Sequence, residues 1–300
     1  MEADFIAWLQ EQSETQAAVF GDFTDDAAII DADGTLVVTT DAITEDVDFI
    51  LDEVTPEEIG FKAVMVNASD IAAMGAYPTY LFVNLVIPSH WSLTSVKSLY
   101  AGIQRAAMQC NCKIAGGDFN AWNNGLVVTV TMHGSCKHNP PILRSTAKPG
   151  DLLCVSGPLG GSILGHHLSF APRIGLLNEL SQFVQLSSAM DISDGLSSDL
   201  HRLCKASNVG AILESQKLPI SEAARRLADR DGRSPIEHAL NDGEDFELLF
   251  TIKPQDFQSH PLPKELGRSL LVIGEITEEK ALLMCNGNSK VPLESLGFMH

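Results

Sequence analysis

Acidic residues recur along this chain where strands end and helices begin. Asp25 and Asp26 precede the apolar run AAII, Asp41 closes the run LVVTT, and Asp118 follows Gly116-Gly117. Asp70 lies within a helical stretch, Asp191 and Asp194 bracket Ile192-Ser193 just before Gly195, and Glu244-Asp245 follow Gly243. Any one of them alone is better explained as a helix cap, a turn residue or a solvated carboxylate. Together they occupy the kinds of position at which open α/β sheets place ligands. Carboxylates about 4 Å apart repel by roughly 4 kcal/mol at an effective dielectric of about 20, so a cluster of them needs protons or cations. Mg²⁺ is held by such oxygens and bridges to phosphates. Phosphoryl transfer asks mainly for positioning and charge neutralisation, which scattered carboxylates and divalent ions supply in principle.

The familiar alternatives are absent. The chain has no G-x-x-x-x-G-K-[ST], no G-x-G-x-x-G after a strand, no H-E-x-x-H and no G-x-S-x-G elbow, so no covalent nucleophile is expected. The glycines of GPLGGS (157–162) suit a tight strand-to-helix turn as well as a phosphate loop. Arg144, in LRSTAKPGD, could fork onto a phosphate or be a surface residue of a linker. His166, His167 and His201 read as helix-surface residues. Lys62, Val66 and Asp70, with Asn67, share adjoining parts of one helix surface. They suggest a polar rim beside an apolar stripe, or an ordinary exposed face.

The elements that must position these residues alternate between strand and helix signals. Leu36–Thr40 reads as a strand. Thr55, Pro56 and Glu58 form a capping box with proline at the first helical position, opening a helix that runs to Met74 with Gly75 as its stop. Tyr80–Ile87 reads as a buried strand, Leu93–Met108 as an amphipathic helix, and Lys113–Ala115 and Leu126–Met132 as strands. The Pro- and polar-rich segment 137–150 is the candidate boundary between two halves, 1–137 and 138–300. Beyond it, Leu152–Ser156, Ala189–Ile192, Phe246–Ile252 and Leu270–Ile276 read as strands. Helices are expected around His166-His167 and over Leu196–Ala206. The fold class is therefore α/β in two halves.

The net charge is −19, from 39 acidic and 20 basic residues, which argues against nucleic acid and anionic membrane as partners. Six cysteines lack zinc or C-x-x-C spacing, the N-terminus lacks a signal pattern, and no apolar run approaches the ~20 residues of a membrane span. A cytoplasmic setting is expected.

Taken together, DDAAII (25–30), VTTDAITEDVDF (38–49), KAVMVNASDIAAMGAYP (62–78), GGD (116–118), LRSTAKPGD (143–151), AMDISDGLSSDL (189–200) and NDGEDFELLFT (241–251) resemble the thiamine-monophosphate kinase family. That family belongs to the aminoimidazole ribonucleotide synthetase-like superfamily. The resemblance implies ATP and thiamine monophosphate as substrates, direct γ-phosphoryl transfer and several Mg²⁺ ions. It also implies a homodimer formed through the N-terminal sheet domain and a second, C-terminal α/β domain. By motif, Asp26, Thr39, Thr40, Asp41, Asp70, Asp118, Asp191 and Asp194 would hold metal. Gly117, Asp118, Arg144 and Ser193 would contact ATP, while Asp48, Glu244 and Phe298 would face the acceptor. The chain departs from the family in TEDVDF, where V-E-G-V-H-F is usual: Asp46 replaces a glycine and Asp48 a histidine. A relative of the superfamily with another acceptor, or a non-catalytic nucleotide-binding homologue, are the alternative readings.

Overall fold

A computed structural model describes residues 19–20, 28–31, 35–136, 139–255, 262–287 and 289–298. Its first sheet contains Val19–Phe20 (β1), Ala28–Asp31 (β2), Thr35–Thr44 (β3), Tyr77–Pro88 (β4), Lys113–Trp122 (β5) and Val127–Ser135 (β6), in the order β1-β2-β3-β6-β4-β5. Among the described residues of this sheet, only β4 and β5 run parallel. The second sheet contains Leu152–Val155 (β7), Leu186–Asp191 (β8), Gly210–Glu214 (β9), Leu248–Ile252 (β10), Leu271–Thr277 (β11), Leu282–Asn286 (β12) and Ser289–Pro292 (β13). Its order is β13-β12-β9-β11-β7-β10-β8, with β12 and β9 parallel.

Helices Pro56–Ala73 (α1) and Leu93–Gln109 (α2) cover one face of the first sheet. The start of α1 is the capping box read from the sequence: Glu58 donates its backbone N–H to Thr55 Oγ1 at 3.3 Å, and its carboxylate accepts Thr55 N–H at 2.8 Å. The two helices cross closely. A Cβ on Gly60 would stand 2.0 Å from Leu99 O, and one on Gly102 1.9 Å from Glu57 O, so only glycine fits at either point.

Around the second sheet lie His166–Ser169 (α3), Leu176–Leu180 (α4), Leu196–Ser207 (α5), Glu222–Asp231 (α6), Pro235–Asn241 (α7) and Lys264–Arg268 (α8). Helix α1 touches α3, α4 and β8 as well as the first sheet. Phe170 and Phe246, stacked with centroids 4.0 Å apart, come from the second half yet pack into the first core. Helix α1 is thus covered along most of its length, and Lys62, Asn67 and Ser69 are buried. Of the two readings of Lys62, Asn67 and Asp70, the ordinary exposed face is excluded for Lys62 and Asn67, whose polar groups bond inside the molecule.

Several boundaries move for a physical reason. Strand β3 continues past Asp41 because buried Ile43 and the pairing with β6 carry it to Thr44. Asp118 likewise lies within β5, an exposed edge strand, and not after a strand end. The helix expected around His166-His167 is one turn long, preceded by a 3-10 turn at Ser162–Leu164.

Candidate active site

Strand alternation sorts the candidate ligands before any contact is considered. Thr39 and Asp41 lie on the helix-covered face of β3, Asp41 in register with buried Val130 and, beyond it, Val83. Thr40 lies on the open face, in register with Thr131 and then Phe82, and its hydroxyl meets Val130 O at 3.2 Å and Thr131 Oγ1 at 3.0 Å. Asp118 is in register with exposed Asn84, also toward the open face. Three strand spacings separate β3 from β5, roughly 14 Å along the sheet, against about 4 Å across one Mg²⁺ ion. Within one chain, Asp41 and Asp118 are therefore too far apart to share an ion. Gly117 precedes Asp118 because a Cβ there would stand 1.8 Å from Val83 O.

On the covered face a group does assemble. Thr39 Oγ1 donates to Asp70 Oδ2 at 2.5 Å, and the neighbouring Ser69 Oγ donates to Asp191 Oδ2 at 2.6 Å, so α1 joins β3 to the end of β8. The chain leaves β8 through Ile192, Ser193 and Asp194. Glu244 N–H donates to Ser193 O at 2.6 Å, and Phe298 N–H donates to Asp194 O at 2.9 Å. Arg202 forms an ion pair with Asp194 and another with Asp199 at 2.9 Å. Asp199, fully buried, is pushed up to about 7, by burial first and then by the charge of Asp194, while Arg202 and Arg144 act in the opposite direction. Arg144 belongs to this corner, and its carbonyl accepts Ser207 Oγ at 2.6 Å.

Two of the residues expected to face the acceptor, Asp48 and Glu244, meet at Lys62. Its ammonium donates to Asp48 O at 2.8 Å and pairs with Glu244 Oε1 at 2.5 Å. The Asp48 carboxylate accepts Thr44 N–H at 2.7 Å and closes the bend 44–49. In that bend Asp46 has φ +65°, a left-handed backbone that aspartate tolerates better than most residues. The bend therefore keeps a conformation suited to glycine. His167 donates from Nδ1 to Ser162 O at 2.8 Å, and burial and the charge of Lys62 favour its neutral form.

The structure thus brings together Thr39, Asp70, Asp191, Ser193, Asp194, Arg144, Asp48, Glu244 and Phe298, with Asp41 on the same face of β3. It sets Thr40, Gly117 and Asp118 apart, and Asp26 lies outside the described residues. Sequence reasoning missed Ser69, Asp199, Arg202 and the buried Glu247, which Ser156 and Arg173 both hold. The i, i+3 spacing of Asp199 and Arg202 was the only local signal for any of these. Among the described residues no three His, Cys, Asp or Glu side chains gather around one ion. The donor set is all oxygen, and one or two carboxylates per ion, completed by water and phosphate, is how Mg²⁺ is usually held. The residues fit that metal in kind.

Two open mixed sheets, with a ligand-type corner where β8 meets α1, define a two-domain AIR-synthase-type protein. Residues 24–136 match AIR synthase related protein, N-terminal domain, and residues 155–283 match AIR synthase related protein, C-terminal domain. A thiamine-monophosphate kinase from Rhodopirellula baltica is 43% identical over 265 residues, covering 85% of this chain and 83% of that one. The thiamine-monophosphate kinase of Bacillus subtilis is 32% identical over 329 residues, covering 100% and 99%. A solved structure of AaThiL complexed with AMPPCP and TMP superposes with a TM-score of 0.85 at 27% identity, covering 99% of this chain and 97% of that one. The chain belongs to the thiamine-monophosphate kinase family.

Proposed function

We propose that this protein transfers the γ-phosphoryl group of ATP to the phosphate of thiamine monophosphate, giving ADP and thiamine diphosphate. The P–O bond to the β-phosphate breaks as a bond to an acceptor phosphate oxygen forms, without a covalent enzyme intermediate. The observation that carries the reading is the continuous chain of contacts from Asp70 and Asp191, through Ser193 and Asp194, to Glu244 and Lys62. It sets an oxygen-rich, phosphate-type corner beside an acidic acceptor corner.

Within that reading, Thr39, Asp41, Asp70, Asp191 and Asp194 hold Mg²⁺ on the covered side, Thr40 and Asp118 hold it from the open face, and Gly117 and Asp118 also contact ATP. Bound Mg²⁺ supplies charge neutralisation at the phosphates. Arg144 and Ser193 address the nucleotide, while Asp48, Glu244 and Phe298 frame the acceptor. The exposed Tyr80 and Phe82 on the open face of the first sheet fit the homodimer contact. The division into 1–137 and 138–300 follows the change of sheet between Ser135 and Leu152. A cytoplasmic enzyme is consistent with six free cysteines and with the lack, among the described residues, of any helix long and apolar enough to cross a membrane.

The test is ADP release with ATP and Mg²⁺, with and without thiamine monophosphate. Acceptor-dependent release is expected. Equal release without acceptor, or release only with a different acceptor, contradicts the assignment.

A further inference from the structure

Lys62 is 1% exposed, yet its ammonium is held by two elements that come from different halves of the chain. One is the backbone carbonyl of Asp48, in the bend after β3, and the other is the Glu244 carboxylate, in the turn before β10. A buried ammonium is tolerated only when it is paired and hydrogen-bonded. Its partners are therefore fixed as firmly as it is. The turn carrying Glu244 needs such support. Gly243, Glu244 and Phe246 have φ of +74°, +53° and +50°, and non-glycine residues remain left-handed only where their surroundings over-determine them. The bonds from Glu244 N–H to Ser193 O, from Phe246 N–H to Ile192 O and from Ser162 Oγ to Gly243 O hold the backbone of the turn, and the Lys62 pair is what holds the Glu244 side chain.

The charge balance points the same way. Lys62 pairs with one carboxylate, that of Glu244, while the Asp48 carboxylate caps Thr44 N–H within the same bend, and the neighbouring imidazole, His167, is shifted toward its neutral form by burial and by the Lys62 charge. The corner carries a net negative charge, which suits a cationic heteroaromatic ring rather than a bare phosphate. The Glu244 side chain is 34% exposed, so it reaches the open side of the corner while anchored at its buried side.

We propose that Lys62 is a positioning residue for the phosphate acceptor: by clamping Glu244 of the second half to the 44–49 bend of the first, it fixes the acidic wall against which the acceptor's cationic ring is held. The inference rests on the kinase reading above and assigns to Lys62 no contact with either substrate.

Steady-state kinetics of Lys62→Met, Glu244→Gln and the double variant, each with a melting curve, test it. K62M is expected to raise KM for thiamine monophosphate about tenfold or more while KM for ATP stays within about twofold of the unaltered enzyme. Because Lys62 acts through Glu244, the double variant is expected within about threefold of E244Q alone. If K62M does not fold, the double variant, which leaves no unpaired buried charge, carries the comparison with E244Q. An unchanged acceptor KM in K62M, an equal rise in both KM values, or a double variant about tenfold worse than E244Q overturns the inference. An unaltered enzyme that never phosphorylates thiamine monophosphate overturns the functional reading, and this inference with it; an active enzyme indifferent to K62M overturns this inference alone.

Discussion

Asp70 accepts the Thr39 hydroxyl at 2.5 Å, so one of its oxygens is oriented before any ligand arrives. If that carboxylate holds a divalent ion, replacing it removes charge from the place where phosphate charge must be neutralised. Asp70→Asn is expected to lower kcat by about 100-fold or more and to raise the Mg²⁺ concentration needed for half-maximal rate. Asp118→Asn is expected to do the same, with the fold of each chain retained, because Asp118 is exposed on an edge strand and packs into neither core. Full activity at unchanged Mg²⁺ in either variant contradicts the role. Asp245 offers a test of a different kind. Burial pushes its carboxyl well above the ordinary range, opposed by the Gly160 N–H bond at 2.7 Å. A folded-state pKa above the unfolded value means a contribution to stability that is complete below the unfolded pKa and lost as pH rises through the folded one. Asp245→Asn keeps an oxygen for Gly160 N–H but cannot ionise. Its melting temperature is therefore expected to fall less than that of the unaltered protein between acid and alkaline pH. Parallel curves for the two proteins contradict the assignment.

The crossing of α1 and α2 fixes where Lys62, Ser69 and Asp70 stand, and it depends on Gly60 and Gly102. A methyl on Gly102 meets Glu57 O at 1.9 Å, against backbone that cannot move aside without separating the helices. Gly102→Ala is expected to cost about 3 kcal/mol or more, read as a lowered denaturant midpoint; a change of a few tenths contradicts the packing account. Helix α1 itself was legible in the sequence to within a residue, because Thr55, Pro56, Glu58 and Gly75 are local signals. Its burial was not legible. Lys62 and Asn67 look like a solvated face until α3, α4 and β8 are known to cover them, which is information from more than a hundred residues away. The capping box of α7, Ser234 with Glu237, was equally local and was overlooked. The short strands β9, β12 and β13 carry too few alternating residues to stand out. At the site, motif order supplied the candidate residues. Which face each occupies was not available from it: Thr39 and Thr40 are neighbours in sequence, and only the register of β3 on β6 sends them to opposite sides of the sheet.

As a whole, the molecule places its covered-side residues where the two sheets meet and leaves the other face of the first sheet open. Exposed Tyr80 and Phe82 on that face, with Thr40 and Asp118 nearby, make it the surface expected to pair with a second copy. Sedimentation is expected to give twice the 32.4 kDa chain mass, and Phe82→Asp to give the single chain; a single-chain mass for the unaltered protein contradicts the pairing. Direct transfer between two bound phosphates is the claim on which the rest depends. It is tested by following label from γ-labelled ATP in the presence of Mg²⁺ and thiamine monophosphate. The account predicts that label appears in thiamine diphosphate in step with ADP; label found only in free inorganic phosphate would contradict it.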